Sequence, residues 1–439
     1  ELTDDKALTF NSSTASTGYF TLAKGVTALQ WQFSGTHVKY GAFSKTGTIE
    51  GVEKGKKYNL TFTYTKGTPE GNLVFDIAVV KTTEDIDDNI IFEADPTGVA
   101  AVGKWEVWAT HATLKANVSE SEFGSEGIAI QVRAQGTEEW TVIDATKMGD
   151  NLFSVVASGL TPETTYEYQL VVNGEAVGSS KTFKTDHIAT IPNAGMEDWN
   201  SGEGWPMPYA TGGTSWWGNG NKAADMANLV ISEGDASTYA EGTKSAKLSG
   251  KRIQILSIDK VAPGNLFSGS FVATVGTKGG KVNFGRPFTA RPSAMKVAYK
   301  YTCGAITHNE GGPSSDTTPH AVGDPDRCHI YIALGDWDYK TFGGSSESPV
   351  QVNTTDVSTL FDPNNDAVIA YGELVKGESV SEWTEEVIRL KYKDTERRPT
   401  HIIISCSSSK LGDYLTGSYN SVLWVDDFEL IYDENVVTE

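Results

Sequence analysis

The sequence predicts an all-β chain built as several sandwich domains, and three observations carry that reading. Apolar and polar side chains alternate with a period of two in the segments 58–64, 73–79, 128–132, 166–172 and 296–301, the mark of strands with one buried face. Turn chemistry stands between such runs, as in Lys54-Gly55-Lys56, Asn173-Gly174 and Asp362-Pro363-Asn364. No long segment keeps a helical period, and 355–360 has room for one turn only. A chain of 439 residues exceeds what one hydrophobic core organises, so more than one domain is expected.

Two interruptions suggest the divisions. The acidic 83–88 run and Ala94-Asp95-Pro96-Thr97-Gly98 break the first set of strands, and 185–192 precedes a segment rich in Trp and Gly. The expected domains are therefore 1–100, 101–186 and 187–439. The first reads as a small immunoglobulin-like β-sandwich with Trp31, Phe33, Tyr58, Phe62 and Phe75 in its core. In the second, Gly159-Leu160-Thr161-Pro162-Glu163-Thr164-Thr165-Tyr166-Glu167-Tyr168 resembles the corner of fibronectin type III domains, where a buried Tyr needs a backbone partner for its hydroxyl. Trp105 and Thr182-Phe183-Lys184-Thr185 extend that resemblance, which implies a spacer.

Charge narrows the partners. A formal net charge of -21 opposes phosphate-backbone binding, anionic membranes and acidic polysaccharides, leaving a neutral polysaccharide or oligosaccharide as the favoured partner of a monomer. Acidity alone also serves solubility. Cys303, Cys328 and Cys406 fit neither a full disulfide framework nor a paired zinc motif; they read as free thiols, with one bridge as the alternative. No apolar run reaches membrane-spanning length. The chain opens on Glu1, which fits an exported form with its leader removed, at the cell surface, outer membrane or periplasm, and membrane-attached only through a removed lipid anchor.

The C-terminal part is the most informative. Asn193-Ala194-Gly195-Met196-Glu197-Asp198-Trp199 opens it and Leu423-Trp424-Val425-Asp426-Asp427-Phe428-Glu429-Leu430 closes it. This pair resembles the terminal strands of jelly-roll carbohydrate-binding modules. Gly285-Arg286-Pro287-Phe288-Thr289, Ile330-Tyr331-Ile332-Ala333-Leu334, Ile369-Ala370-Tyr371-Gly372-Glu373 and Gly412-Asp413-Tyr414 make 188–434 similar to the “putative carbohydrate metabolism domain” of Bacteroidetes surface proteins. The whole then reads as two small N-terminal β-sandwiches followed by a larger jelly-roll β-sandwich. The jelly-roll resemblance further implies a structural Ca²⁺ shared by first and last strands, with Glu197, Asp426, Asp427 and Asn193 as ligands. The alternative is a hydrogen-bonded carboxylate that caps a turn.

Sugar binding asks for aromatic rings beside polar groups. Trp216 and Trp217 stand in a glycine-flanked loop and cannot both point into one core, and Trp205 lies nearby. Asp336-Trp337-Asp338 is a second candidate, with Arg286 and Tyr414 as further contributors. Loop tryptophans also serve as anchors, which is the competing reading. Asp324, Asp326, Asp336, Asp338, Glu373 and Glu382 supply carboxylates for a glycosidase, but sequence does not pair them, and no nucleophile elbow or metalloprotease motif occurs. The expectation is a non-catalytic glycan-binding surface protein, with a structural or adhesive protein, or a glycoside hydrolase or lyase, as alternatives.

Overall fold

The computed structural model describes residues 97–149, 151–255, 258–276 and 279–432, together with the backbone of four N-terminal strands. The chain divides after Ala94 into two units. In the first, Ala28–His37 pairs antiparallel with Gly41–Glu50, and Tyr58–Thr65 with Val74–Lys81. The side chains of the core candidates Trp31, Phe33, Tyr58, Phe62 and Phe75, and the whole 83–88 run, lie outside what is described. The molecule is all-β in architecture, as the alternation predicts.

The second unit begins with a sandwich of two four-stranded sheets. One holds Gly98–Val99, Ala112–Asn117, Leu152–Ala157 and Thr146–Gly149; the other holds Glu175–Lys184, Thr165–Val172, Ile128–Ala134 and Thr141–Asp144. Alternation in Ala112–Asn117 turns Ala112, Leu114 and Ala116 inward, where they meet Ile130, Phe153, Tyr168 and Leu170. The corner forms as its chemistry requires. Thr161 N donates to the Tyr166 hydroxyl at 2.8 Å, and the Tyr168 hydroxyl donates to Ala100 O at 2.6 Å. Trp105, by contrast, is 46% exposed and takes no part in this core.

Residues 187–432 form two larger antiparallel sheets face to face. One five-stranded sheet runs Ser232–Asp235, Ser245–Ser249, Val422–Ile431, Ala294–Thr302, Val380–Arg389. The other centres on Asn265–Val275, His401–Ser407, Cys328–Gly335 and Val368–Lys376. Between them lie Val297, Tyr299 and Tyr301 from the first sheet and Ile330, Ile332, Ile402 and Ile404 from the second. Cys328 and Cys406 are buried there and, like Cys303, are free thiols. The single turn expected near 355–360 is a short 3₁₀ segment, Val357–Thr359, capped by the Asp356 carboxylate.

The larger sheet also has a second, outward-facing core. Because strand side chains alternate, Tyr331 and Ala333 point away from Ile330 and Ile332. They join Phe267, Phe284, Trp337, Val350 and Ile403 under the chain that crosses from 336 to 367.

The 97–186 sandwich is docked on this jelly roll, not strung before it. Arg291 is buried at the junction, with its guanidinium 4.1 Å above the Trp108 ring and 3.0 Å from Asp186 Oδ2. It also donates to the carbonyls of Val107 and Thr395, while Arg398 pairs with the same Asp186. Trp108 packs edge-on against Tyr392 at 5.0 Å. A buried cation so fully paired is costly to uncover, so the second domain is held against the third.

Candidate functional site

The glycine-flanked tryptophan loop folds inward. Trp217 is wholly buried against Phe428, its indole N–H donates to Pro192 O at 2.8 Å, and it pairs in a short strand with Ser268. Of the pair expected to leave at least one ring at the surface or in a cleft, Trp217 is not that ring. Trp216 is half-buried, edge-on to Trp217 at 4.7 Å. Arg286 explains why: its guanidinium donates to the carbonyls of Ser215, Trp216 and Gly269 and to Ser348 Oγ, which ties the loop down and removes Arg286 from any ligand role. Gly218 is needed because a Cβ there would meet Gly269 O at 2.8 Å. Trp205 is half-buried with Lys222 near its ring.

The second predicted segment is structural as well. Trp337 is 4% exposed in the outward-facing core. Asp336 pairs with Arg397 at 3.1 Å, and Asp338 caps the short helix Tyr339–Phe342 by accepting from Lys340 N. Tyr414 is half-buried in a separate 3₁₀ turn. Asp326 is buried and accepts from Ser409, Ser418 and Ser421, so it is not available for catalysis.

The predicted calcium residues do meet, at one corner. Phe428 N donates to Ala194 O, which ties the turn at 192–195 to the last strand; the opening segment expected as a terminal strand is a turn and irregular chain. Asn193 is spent on Asp198 and Pro208. Glu197 accepts from Thr243 and Lys244, and Asp426 from Ala240 N and Asp427 N. Gly242 sits against Glu197 at φ 68°, where a side chain would collide with the carboxylate. Burial raises Asp426 to about 7, with the Asp427 charge adding to it. Burial also raises Asp427, and the charges of Glu241 and Glu197 push it the same way. Its Oδ2 is buried without a hydrogen-bond partner. Among the described residues no three His, Cys, Asp or Glu side chains form a ready-made cage. The unpartnered oxygen amid carboxylates nevertheless fits a hard cation completed by backbone oxygens or water.

The arrangement that best suits a ligand lies on the outward face of the larger sheet, from residues far apart in sequence. Register sets Tyr331 opposite Glu373 and Ser405 on neighbouring strands, with His329 and Tyr371 on the same face. His329 Nε2 lies 2.8 Å from Glu373 Oε2, and the Tyr371 hydroxyl donates to the same oxygen at 3.1 Å. Tyr331 stacks on Phe361 at 5.1 Å and lies 5.9 Å from Tyr371. The His329 bond, ahead of the opposing effect of burial, holds Glu373 down at about 2. Burial lowers His329, so a neutral imidazole donating to a carboxylate describes the pair. Beside them opens a cleft of about 270 Å³, lined by Tyr371, Glu373, Glu386, Arg389 and Lys391.

Only Glu373, among the carboxylates singled out in the sequence, falls in this cleft. Its partners His329, Tyr331 and Tyr371 were missed there. The signal that would have found them is strand register, which sequence alternation leaves open.

Residues 195–431 match the family described as “Putative carbohydrate metabolism domain”, or PCMD. The chain belongs to that family. Membership in PCMD gives it a carbohydrate-related function. No match is found among curated proteins. Solved structures similar to the chain include a “putative glycoside hydrolase” from Bacteroides thetaiotaomicron, at 17% identity over 78% of this chain and 99% of the other, with TM-score 0.43. A “putative glycoside hydrolase” from Bacteroides vulgatus is similar at 17% identity over 56% and 95%, with TM-score 0.36. A “putative sugar binding protein” from Bacteroides thetaiotaomicron is similar at 10% identity over 50% and 89%, with TM-score 0.22.

Proposed function

We propose that this PCMD protein is a non-catalytic, cell-surface glycan-binding protein whose ligand, a neutral saccharide, enters the Tyr371–Glu373 cleft. The observation that carries the reading is the Glu373 carboxylate, half-exposed and held by His329 and Tyr371 beside stacked aromatic rings. A fixed carboxylate accepts from sugar hydroxyls, and Tyr371 offers a ring to the apolar side of a pyranose. The cleft volume lies near the lower end of small-molecule sites, about 300 Å³, which suits a short stretch of glycan. Surface location rests on the resemblance to Bacteroidetes surface proteins.

Hydrolysis would need a protonated carboxyl opposite a charged one. Glu373 is held as an anion and so is a poor general acid. One observation favours the second reading, a glycosidase: Asp413 is exposed as a residue, yet protein crowding its carboxyl pushes it above the ordinary range, and its charge is felt at Tyr331. Isothermal titration of the full chain with neutral oligosaccharides tests the proposal. Binding without release of reducing ends is expected, weakened about tenfold or more in Tyr371→Ala. Unchanged affinity in Tyr371→Ala and Glu373→Gln would sink the assignment, and reducing-end release lost in Asp413→Asn would establish the glycosidase instead.

For the corner, we propose a structural Ca²⁺ held by Asp427 with Glu197 and Asp426, supported by the unpartnered Asp427 Oδ2. Bound there, the cation would neutralise the crowded carboxylates and fix the opening segment to the last strand.

A further inference from the structure

The outer face of the five-stranded sheet carries a feature that the cleft does not use. Trp424 in Val422–Ile431 and Trp383 in Val380–Arg389 stand on either side of Lys300 in Ala294–Thr302, the strand between them. All three are half-buried on the solvent side of the sheet, since their strand neighbours Leu423, Val425, Tyr299 and Tyr301 fill the core. The Lys300 ammonium lies 5.8 Å from the Trp424 ring centre and 5.9 Å from that of Trp383. The two ring centres are therefore no farther apart than the sum of those distances.

Both indoles are locked by one loop. Trp383 Nε1 donates to Thr238 Oγ1 at 3.1 Å and Trp424 Nε1 to Asp235 Oδ2 at 3.0 Å. Tyr239, 44% exposed, projects from the same loop. The loop is itself held from behind, because Ala240 N donates to Asp426 and Thr243 N to Glu197. Rings fixed in advance lose little freedom when a ligand arrives, which is how a rigid surface gains affinity. Lysine–tryptophan pairing alone would stabilise the sheet, but it does not call for anchoring each indole N–H to a loop or for an exposed tyrosine beside them.

We infer that Trp383, Trp424 and Tyr239 around Lys300 form a second saccharide-binding surface, which takes the apolar faces of a neutral oligosaccharide. Lys300 donates to its hydroxyls and Asp235 and Thr238 accept from them. The occupant is neutral because Glu233 and Asp235 border the rings and Lys247 is already drawn to both. This surface lies on the outer face of the five-stranded sheet, of which the Tyr371–Glu373 cleft borrows only residues 386–389 at the far end of the edge strand, and it stands whether or not that cleft binds sugar.

Two-dimensional NMR of the ¹⁵N-labelled full chain tests it, with the indole signals of the two tryptophans assigned from Trp383→Phe and Trp424→Phe. The ligands are cellohexaose, xylohexaose, mannohexaose and maltohexaose, added singly. At least one is expected to shift both indole signals, in Glu373→Gln as in the native chain. Lys300→Met, which keeps the fold's apolar stem, should weaken that response severalfold. If no hexaose moves either signal, or if the shifts vanish in Glu373→Gln, the second surface is refuted.

Discussion

The Trp216–Trp217 loop and the Tyr331–Glu373 face make opposite use of aromatic residues. In the loop, neighbours in sequence are drawn into the protein by Arg286 and by Pro192, and their value is packing. On the sheet face, Tyr331, Phe361 and Tyr371 come from three separate segments and converge around one half-exposed carboxylate. Adjacent tryptophans among glycines suggest a site when read along the chain. Rings gathered across strands give the better candidate in space.

The contrast can be broken by substitution. Trp217→Ala removes a wholly buried indole and should cost about 3–5 kcal/mol, read from the urea midpoint, while oligosaccharide affinity of the folded fraction is kept. A loss of affinity without loss of stability would reverse the two regions' roles. Arg286→Leu strips the donor from the carbonyls of Ser215 and Gly269 and should destabilise by about 3 kcal/mol in the same measurement. On the face, Tyr371→Ala should lower affinity about tenfold by titration calorimetry and change stability by about 1 kcal/mol, since the ring is only partly covered.

The smallest effect concerns pH. Glu373 is depressed from 4.5 to about 2 by His329, so its contribution is present above the unfolded value and is lost as pH falls through that window. Stability of the native chain should therefore decline more steeply between those two values than that of Glu373→Gln. Parallel curves from urea titrations would show that the bond carries no net weight.

Much of the architecture was legible in the sequence because period-two alternation and turn residues act locally. The tyrosine corner was legible for the same reason: Thr161 and Tyr166 are five residues apart. The meeting of Ala194 with Phe428 was reached through resemblance of the terminal segments, not through any local rule. The cleft was not legible, because His329 meets Glu373 through the register of two strands 44 positions apart. Arg286 was misplaced for a related reason. A cation beside Pro and Phe looks available to a ligand until the carbonyls that it satisfies are known. The tie between the second and third domains was equally hidden, since Arg291, Asp186 and Trp108 share no motif.

That tie changes how the second unit would bear load. A tether pulled at residue 97 would meet the Arg291 clasp before it could stretch the 185–192 connection, because Asp186 is itself held by Arg291 and Arg398. Tension would then pass through the body of the protein as through a welded joint, with no hinge at that point. The sheet that carries the candidate cleft would keep its orientation to the preceding sandwich under drag.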